Sequence, residues 1–152
     1  MKTEAQLRPA VAEDRPAIRR LLTAAGLPTD DLERAPMEFV VALSGGEVIG
    51  VAGAERLAPH TALLRSFAVA PSHRRQGIAG AMLVRLLSDG AGRGVTGFYL
   101  LTVTAAPFFA ARGFTTLSRD EAPSPVRDHP QFAGLCPASA VLMHFAAERE
   151  GV

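Results

Sequence analysis

Cys136 is the only cysteine in the chain. One thiol cannot close an intramolecular disulfide, nor can it build a cysteine-based zinc cluster. The four histidines, His60, His73, His129 and His144, are scattered, without the spacing of metal ligands, so no metal is expected. Tryptophan is absent and Tyr99 is the only tyrosine. No apolar run reaches the roughly 20 residues that a membrane-spanning helix needs. The opening "MKTEAQLRPA" lacks the apolar centre of a signal peptide. Lys2 is the only lysine, and the other basic residues are arginine. The net charge of +1 points to neither nucleic acid nor membrane as a partner. A cytoplasmic location is the default expectation.

What is present suits one globular domain. The 152 residues are 48% hydrophobic and 20% charged, and no repeat, linker or composition break divides residues 1–152. "AQLRPA" reads as a first strand. In "EDRPAIRRLLTAAG", Ile18, Leu21, Leu22 and Ala25 share a helical face, with Asp14 as the expected cap and Gly26 as the stop. "LPTDDLERAP" reads as a loop with room for one helical turn. "MEFVVALS", "EVIGVAGAERL" and "TALLRSFAV" read as an antiparallel meander turning at Gly45-Gly46 and Pro59-His60. From Ile78 the apolar period becomes helical through Met82, Leu83, Leu86 and Leu87, and the glycines of "SDGAGRG" are expected to fray that helix. "VTGFYLLTVT" reads as a strand, "AAPFFAARGF" as a short helix closed by Gly113, and "FTTLSR" as a strand. "EAPSPVRDHPQFAGLCP" reads as an irregular excursion with one helical turn, and "ASAVLMHFA" as the last strand. Strands and helices in this order predict an α/β (α+β) fold, one mixed sheet with helices on both faces.

The stretch "HRRQGIAGAML" carries the strongest chemical signal. A strand, a glycine-containing loop and a helix start together form a backbone anion site, because the first amides of a helix lack intrahelical acceptors. Gly77 and Ala79 leave room for a phosphate oxygen, and Arg74 and Arg75 supply charge at the rim. The pattern GxxxxGK[ST] of a P-loop is absent, and so is the dinucleotide fingerprint GxGxxG. The string Arg74-Arg75-Gln76-Gly77-Ile78-Ala79 matches R-x-x-G-x-A. With the preceding "LLRSFAVAPSHR" it resembles the acetyl-CoA motif of the GNAT superfamily of N-acetyltransferases, and the resemblance extends over nearly the whole chain.

That resemblance implies a twisted, largely antiparallel mixed sheet of about seven strands, splayed at the acetyl-CoA site. It implies that acetyl-CoA is the co-substrate. The pyrophosphate would rest on the amides of Arg75, Gln76, Gly77, Ile78, Ala79 and Gly80, with Arg74 at the first motif position. Phe67, Ala68 and Val69 would pair with the pantetheine arm, and the amide near Val69 would polarise the thioester carbonyl. Where many GNAT enzymes place a tyrosine general acid, in "YxxxGF", this chain has Phe109 in "FAARGF". Tyr99, earlier on its strand, is expected to be structural. Glu55 is the best candidate for the base that takes the proton from the attacking amine, with a plain ion pair to Arg56 or Arg65 as the competing role.

"LLRSFAV", "YLLTVTAAPFFAARGF" and "QFAGLCPASAVLM" narrow the resemblance to the arsenic-resistance branch of GNAT proteins. "LTVTAAPFFAARGF" is also similar to the acetyltransferase domain of N-acetylglutamate synthases. Both imply a small amino acid or analogue as acceptor, including arsenical or phosphinic amino acids. Arg65, with Ser66, is a candidate anchor for its carboxylate. Thr102, Cys136 and Ser139 are further candidate pocket residues, Phe108 and Phe109 are a candidate apolar wall, and a packing role competes for each. GNAT proteins often pair as homodimers. The alternatives are an N-acetylglutamate-synthase-like enzyme and a catalytically silent acyl-CoA-binding module.

Overall fold

The structure is a computed structural model, and it describes residues 5–27, 29, 37–130, 132 and 140–147. In chain order the elements are β1 (Gln6–Pro9), α1 (Arg15–Ala24), β2 (Met37–Ser44), β3 (Glu47–Ala58), β4 (Thr61–Val69) and α2 (Ile78–Gly92). They continue as β5 (Gly97–Thr102), α3 (Ala106–Ala110), β6 (Thr115–Leu117), α4 (Ser124–Arg127) and β7 (Val141–Ala146). Short 3-10 turns cover Ala12–Asp14, Pro71–His73 and Arg119–Glu121. The strands form one seven-stranded sheet in the order β1-β2-β3-β4-β5-β7-β6. It is mixed, as expected: β4 and β5 pair in parallel over Thr61–Leu63 against Gly97–Tyr99. The pairs β1–β2, β2–β3, β5–β7 and β6–β7 are antiparallel.

The chain divides into two compact units, Met1–Glu55 with Arg65–Asp89, and Arg56–Leu64 with Gly90–Val152. In the first, the register sets Val41 opposite Val51 and Ala42 opposite Gly50. Successive strand residues point to opposite faces, so these pairs mark the two faces. Val41 and Val51 pack against Ile18 and Leu22 of α1, which are 2% and 0% exposed. On the other face, the space over Gly50 is bounded by Ala42 and by Ile78 and Met82 of α2. Helices therefore cover both faces of these strands.

In the second unit the same alternation separates two apolar layers. Tyr99 and Leu101 pack with Leu142 against Ala122 and Val126, the latter on α4. From the other face, Phe98 meets Phe145 edge-on at 6.3 Å between ring centroids. Phe145, Phe114, Phe109 and Phe108 continue as a run of ring contacts at 5.3, 5.5 and 5.0 Å. Offset and edge-to-face geometries are those that aromatic quadrupoles favour.

Three expectations change. Asp14 does not cap α1 with its side chain. Its carboxylate instead accepts hydrogen bonds from Arg8 at 2.6 and 3.1 Å and from the Val11 amide at 2.8 Å, which ties β1 to the turn before the helix. The second helix does not fray at its first glycines but runs on to Gly92. Gly90 belongs inside it because a Cβ there would lie 2.7 Å from the Phe98 ring. Gly94, at φ +94°, ends the helix, with the Val95 amide bonding back to the Gly90 carbonyl at 2.9 Å. The strand expected over "VTGFYLLTVT" is shorter and stops at Thr102, whose hydroxyl accepts the Ala105 amide at 3.0 Å and turns the chain. Gly26 and Gly113 do stop their helices, at φ +72° and +96°.

Candidate active site

The loop between β4 and α2 has the backbone of an anion cradle. After the 3-10 turn Pro71–His73, Arg75 and Gly77 both take left-handed conformations, at φ +65° and +80°. Left-handed residues alternating with right-handed or extended ones turn successive amides toward a common point. An added Cβ on Gly77 would meet nothing within 4 Å, so the space above this amide is open. Arg74, Arg75, Gln76 and Gly77 are exposed, and Ala79 and Gly80 are half-buried. The Ile78 side chain is buried and anchors the start of α2 in the core. The 15-residue helix then points its first amides at the loop. The residues present thus fit a phosphate group. The Arg74 guanidinium reaches back to the end of β4, donating from Nε to the Val69 carbonyl at 3.1 Å. His73 is a neighbour of this cluster and shares a 2.8 Å hydrogen bond with the Ser72 hydroxyl.

Glu55 and Arg65 are brought together. Arg65 Nη1 donates to Glu55 Oε1 at 3.1 Å, and both side chains are withdrawn from solvent. The ion pair weighed from the sequence therefore forms, and it is buried rather than half-exposed. Ser66 follows at φ +64°, a left-handed residue inside a strand. For a non-glycine residue this conformation costs roughly 1–2 kcal/mol, and it marks a bulge-type kink. Beyond the kink come Phe67, half-buried, Ala68, buried, and Val69, half-buried. The Ala70 amide is fixed by the Ile49 carbonyl at 2.8 Å.

In the second unit, Phe109 is buried at 7% exposure among the rings of Phe108 and Phe114. Phe108 is half-buried beneath Arg112, whose guanidinium carbon lies 3.8 Å from the ring centroid. Thr102 serves the turn described above. Tyr99 stacks on His144 at 4.7 Å, which accords with a structural role. Burial raises the Tyr99 hydroxyl above its ordinary pKa and lowers that of His144. His60 is exposed but engaged: its ring meets the Gly94 carbonyl at 2.8 Å, and its own carbonyl accepts the Thr96 and Gly97 amides. Cys136 and Ser139 lie outside the described residues. Among the described residues, no group of three His, Cys, Asp or Glu could hold a metal ion, and no helix is long and apolar enough to cross a membrane.

The sequence model of the acetyltransferase (GNAT) family matches residues 6–115, more than half the chain. The chain belongs to the GNAT family. Its seven-stranded mixed sheet is that of the GNAT fold. No curated protein matches the chain. Among solved structures, N-acetylglutamate synthase from Neisseria gonorrhoeae, complexed with coenzyme A and N-acetyl-glutamate, is similar at a TM-score of 0.82 and 23% identity. That match covers 98% of this chain and 36% of the synthase, so the chain spans about a third of the synthase's length. A Mycobacterium tuberculosis protein in complex with CoA matches at a TM-score of 0.79 and 22% identity, over 94% of this chain and 99% of that one. The ribosomal-protein-S18-alanine N-acetyltransferase of Escherichia coli matches at 0.72 and 17%, over 97% and 98% of the two chains. At these identities the likeness concerns the fold, and the acceptors named for these neighbours differ.

Proposed function

We propose that the protein transfers the acetyl group of acetyl-CoA to the α-amine of a small amino acid or amino-acid analogue. The observation that carries this reading is the open, left-handed loop Arg75–Gly77 at the mouth of α2. Its amides would hold the CoA pyrophosphate, and Phe67, Ala68 and Val69 would run beside the pantetheine arm. The neutral amine attacks the thioester carbon, and the oxygen takes up negative charge beside the Val69 amide. Collapse of that intermediate breaks the C–S bond and releases the CoA thiolate. The amine's proton goes to a base, for which Glu55 is the proposed group, directly or through water. Phe109 cannot protonate the leaving group. A thiol of ordinary pKa near 8.5 leaves tolerably as the thiolate and takes a proton from water.

The acceptor class rests on Arg65 and Ser66. A guanidinium withdrawn from solvent binds a carboxylate through paired hydrogen bonds, and an incoming acceptor would share Arg65 with Glu55. Arsenical and phosphinic amino acids belong among the candidates because of the sequence resemblance to the arsenic-resistance branch. A thiol-release assay with acetyl-CoA and a panel of amino acids, including those analogues, tests the proposal. Turnover with at least one α-amine is expected, and none across the panel refutes it. The burial of Phe109 where the family often has tyrosine favours one second reading, a silent acyl-CoA-binding module. Such a module would bind acetyl-CoA in a calorimeter and consume none.

A further inference from the structure

Two glycines interrupt β3, Gly50 and Gly53, and neither has a left-handed φ. Glycine within a strand weakens it and marks a bulge or a close approach of another backbone. Core packing accounts for Gly50, where a Cβ would lie 3.3 Å from Ala42 Cβ, Ile78 Cγ2 and Met82 Cε. At Gly53 the neighbours differ. A Cβ there would lie 2.6 Å from Met37 Cε, 2.9 Å from Phe39 Cε1 and 3.1 Å from the carbonyl oxygen of Arg65. The Met37 end can swing away, whereas the Phe39 ring is packed against the core cluster of Ile18, Leu22, Val41 and Val51. The carbonyl can move only if β4 moves with it.

Arg65 is the residue before the kink at Ser66. It meets β3 at two points. Its guanidinium pairs with Glu55 at 3.1 Å, and its carbonyl lies over Gly53, two residues earlier on the same face of the strand. Ser66 has no glycine's freedom, so its left-handed φ of +64° persists only because its surroundings impose it. We propose that Gly53 is a positioning residue: its missing side chain leaves the space into which the Arg65 carbonyl turns, which sets the kink at Ser66 and the direction of the Phe67–Val69 amides. The functional consequence rests on the acetyl-transfer reading, in which those amides serve the thioester. A methyl group at position 53 displaces the carbonyl by a few tenths of an ångström and reorients the peptide units that follow.

The test uses the full chain with Gly53→Ala, alone and combined with Met37→Ala. The combined variant removes the Met37 contact and leaves the Phe39 ring and the Arg65 carbonyl as the groups that must give way. Gly50→Ala and Met37→Ala alone are the structural controls. NMR assignments are expected to show amide and Cα shifts centred on Arg65, Ser66 and Phe67 in both Gly53 variants and in neither control. In the thiol-release assay kcat is expected to fall about tenfold while acetyl-CoA affinity stays unchanged. Unmoved resonances at Arg65–Phe67 overturn the proposal, and so do moved resonances with wild-type kcat. If the wild type turns over no acceptor, the acetyl-transfer reading fails separately. The deciding readout is then the response of the Phe67–Val69 amides to added acetyl-CoA. A response altered by Gly53→Ala supports the positioning role, and an identical response overturns it.

Discussion

Replacing Arg65 with methionine keeps a long side chain but removes the guanidinium from Glu55, which is only 7% exposed. At the observed 3.1 Å, two unit charges attract by about 5 kcal/mol in an effective dielectric near 20. Desolvation of both ions offsets much of this in the intact pair. Losing one partner alone is a different matter, because the buried carboxylate keeps its desolvation cost without its counter-ion, and about 3–5 kcal/mol is then expected. For a chain of this length, that corresponds to a fall in melting temperature of about 6–20 °C. Urea denaturation of the wild type, Arg65→Met, Glu55→Gln and the double variant completes a double-mutant cycle. The double variant should recover part of the stability lost in Arg65→Met, since the neutral Gln carries no buried charge. A loss below about 1 kcal/mol in Arg65→Met, the range of a solvent-exposed pair, would refute the reasoning.

Three further outcomes are expected. Ser66→Gly should stabilise the fold by about 0.5–1 kcal/mol in urea denaturation, because it removes the left-handed strain; Ser66→Val should destabilise it. Gly90→Ala should lower stability by about 1–2 kcal/mol, since the clash of its Cβ with the Phe98 ring outweighs the gain in helix propensity. Arg8 holds the Asp14 carboxyl below its ordinary pKa, chiefly through its hydrogen bond. The stability this contributes is fully present above the unfolded carboxylate value, near 3.9, and is lost as pH falls through the lower folded value. Asp14→Asn should therefore flatten the acid limb of a melting-temperature profile, and an unchanged limb would count against the pair.

The meander was legible because β2, β3 and β4 combine β-branched residues with short turns at Gly45-Gly46 and Pro59-His60. The loop before α2 was legible because Gly77 stands directly before the point where the apolar period turns helical at Ile78. Gly90 misled, since a glycine inside a helix looks like an end until the ring of Phe98 is placed over it. Asp14 misled in a similar way: a cap position is local, whereas Arg8 reaches it across a turn. The partner of Glu55 could be guessed but not chosen, because Arg56 and Arg65 were both within reach of the sequence argument. The kink at Ser66 had no local signal, for serine does not favour that conformation. Its only trace in the sequence is Gly53, on the neighbouring strand.

In the proposed reaction the loop before α2 cradles the CoA pyrophosphate. Calorimetric titration of acetyl-CoA into the wild type and Gly77→Glu tests it most directly, because the substitution places bulk and negative charge in the open space over a left-handed glycine. The wild type is expected to bind, and Gly77→Glu, still folded, to bind at least about tenfold more weakly, a difference of about 1.4 kcal/mol. Equal affinity in the two proteins would contradict it.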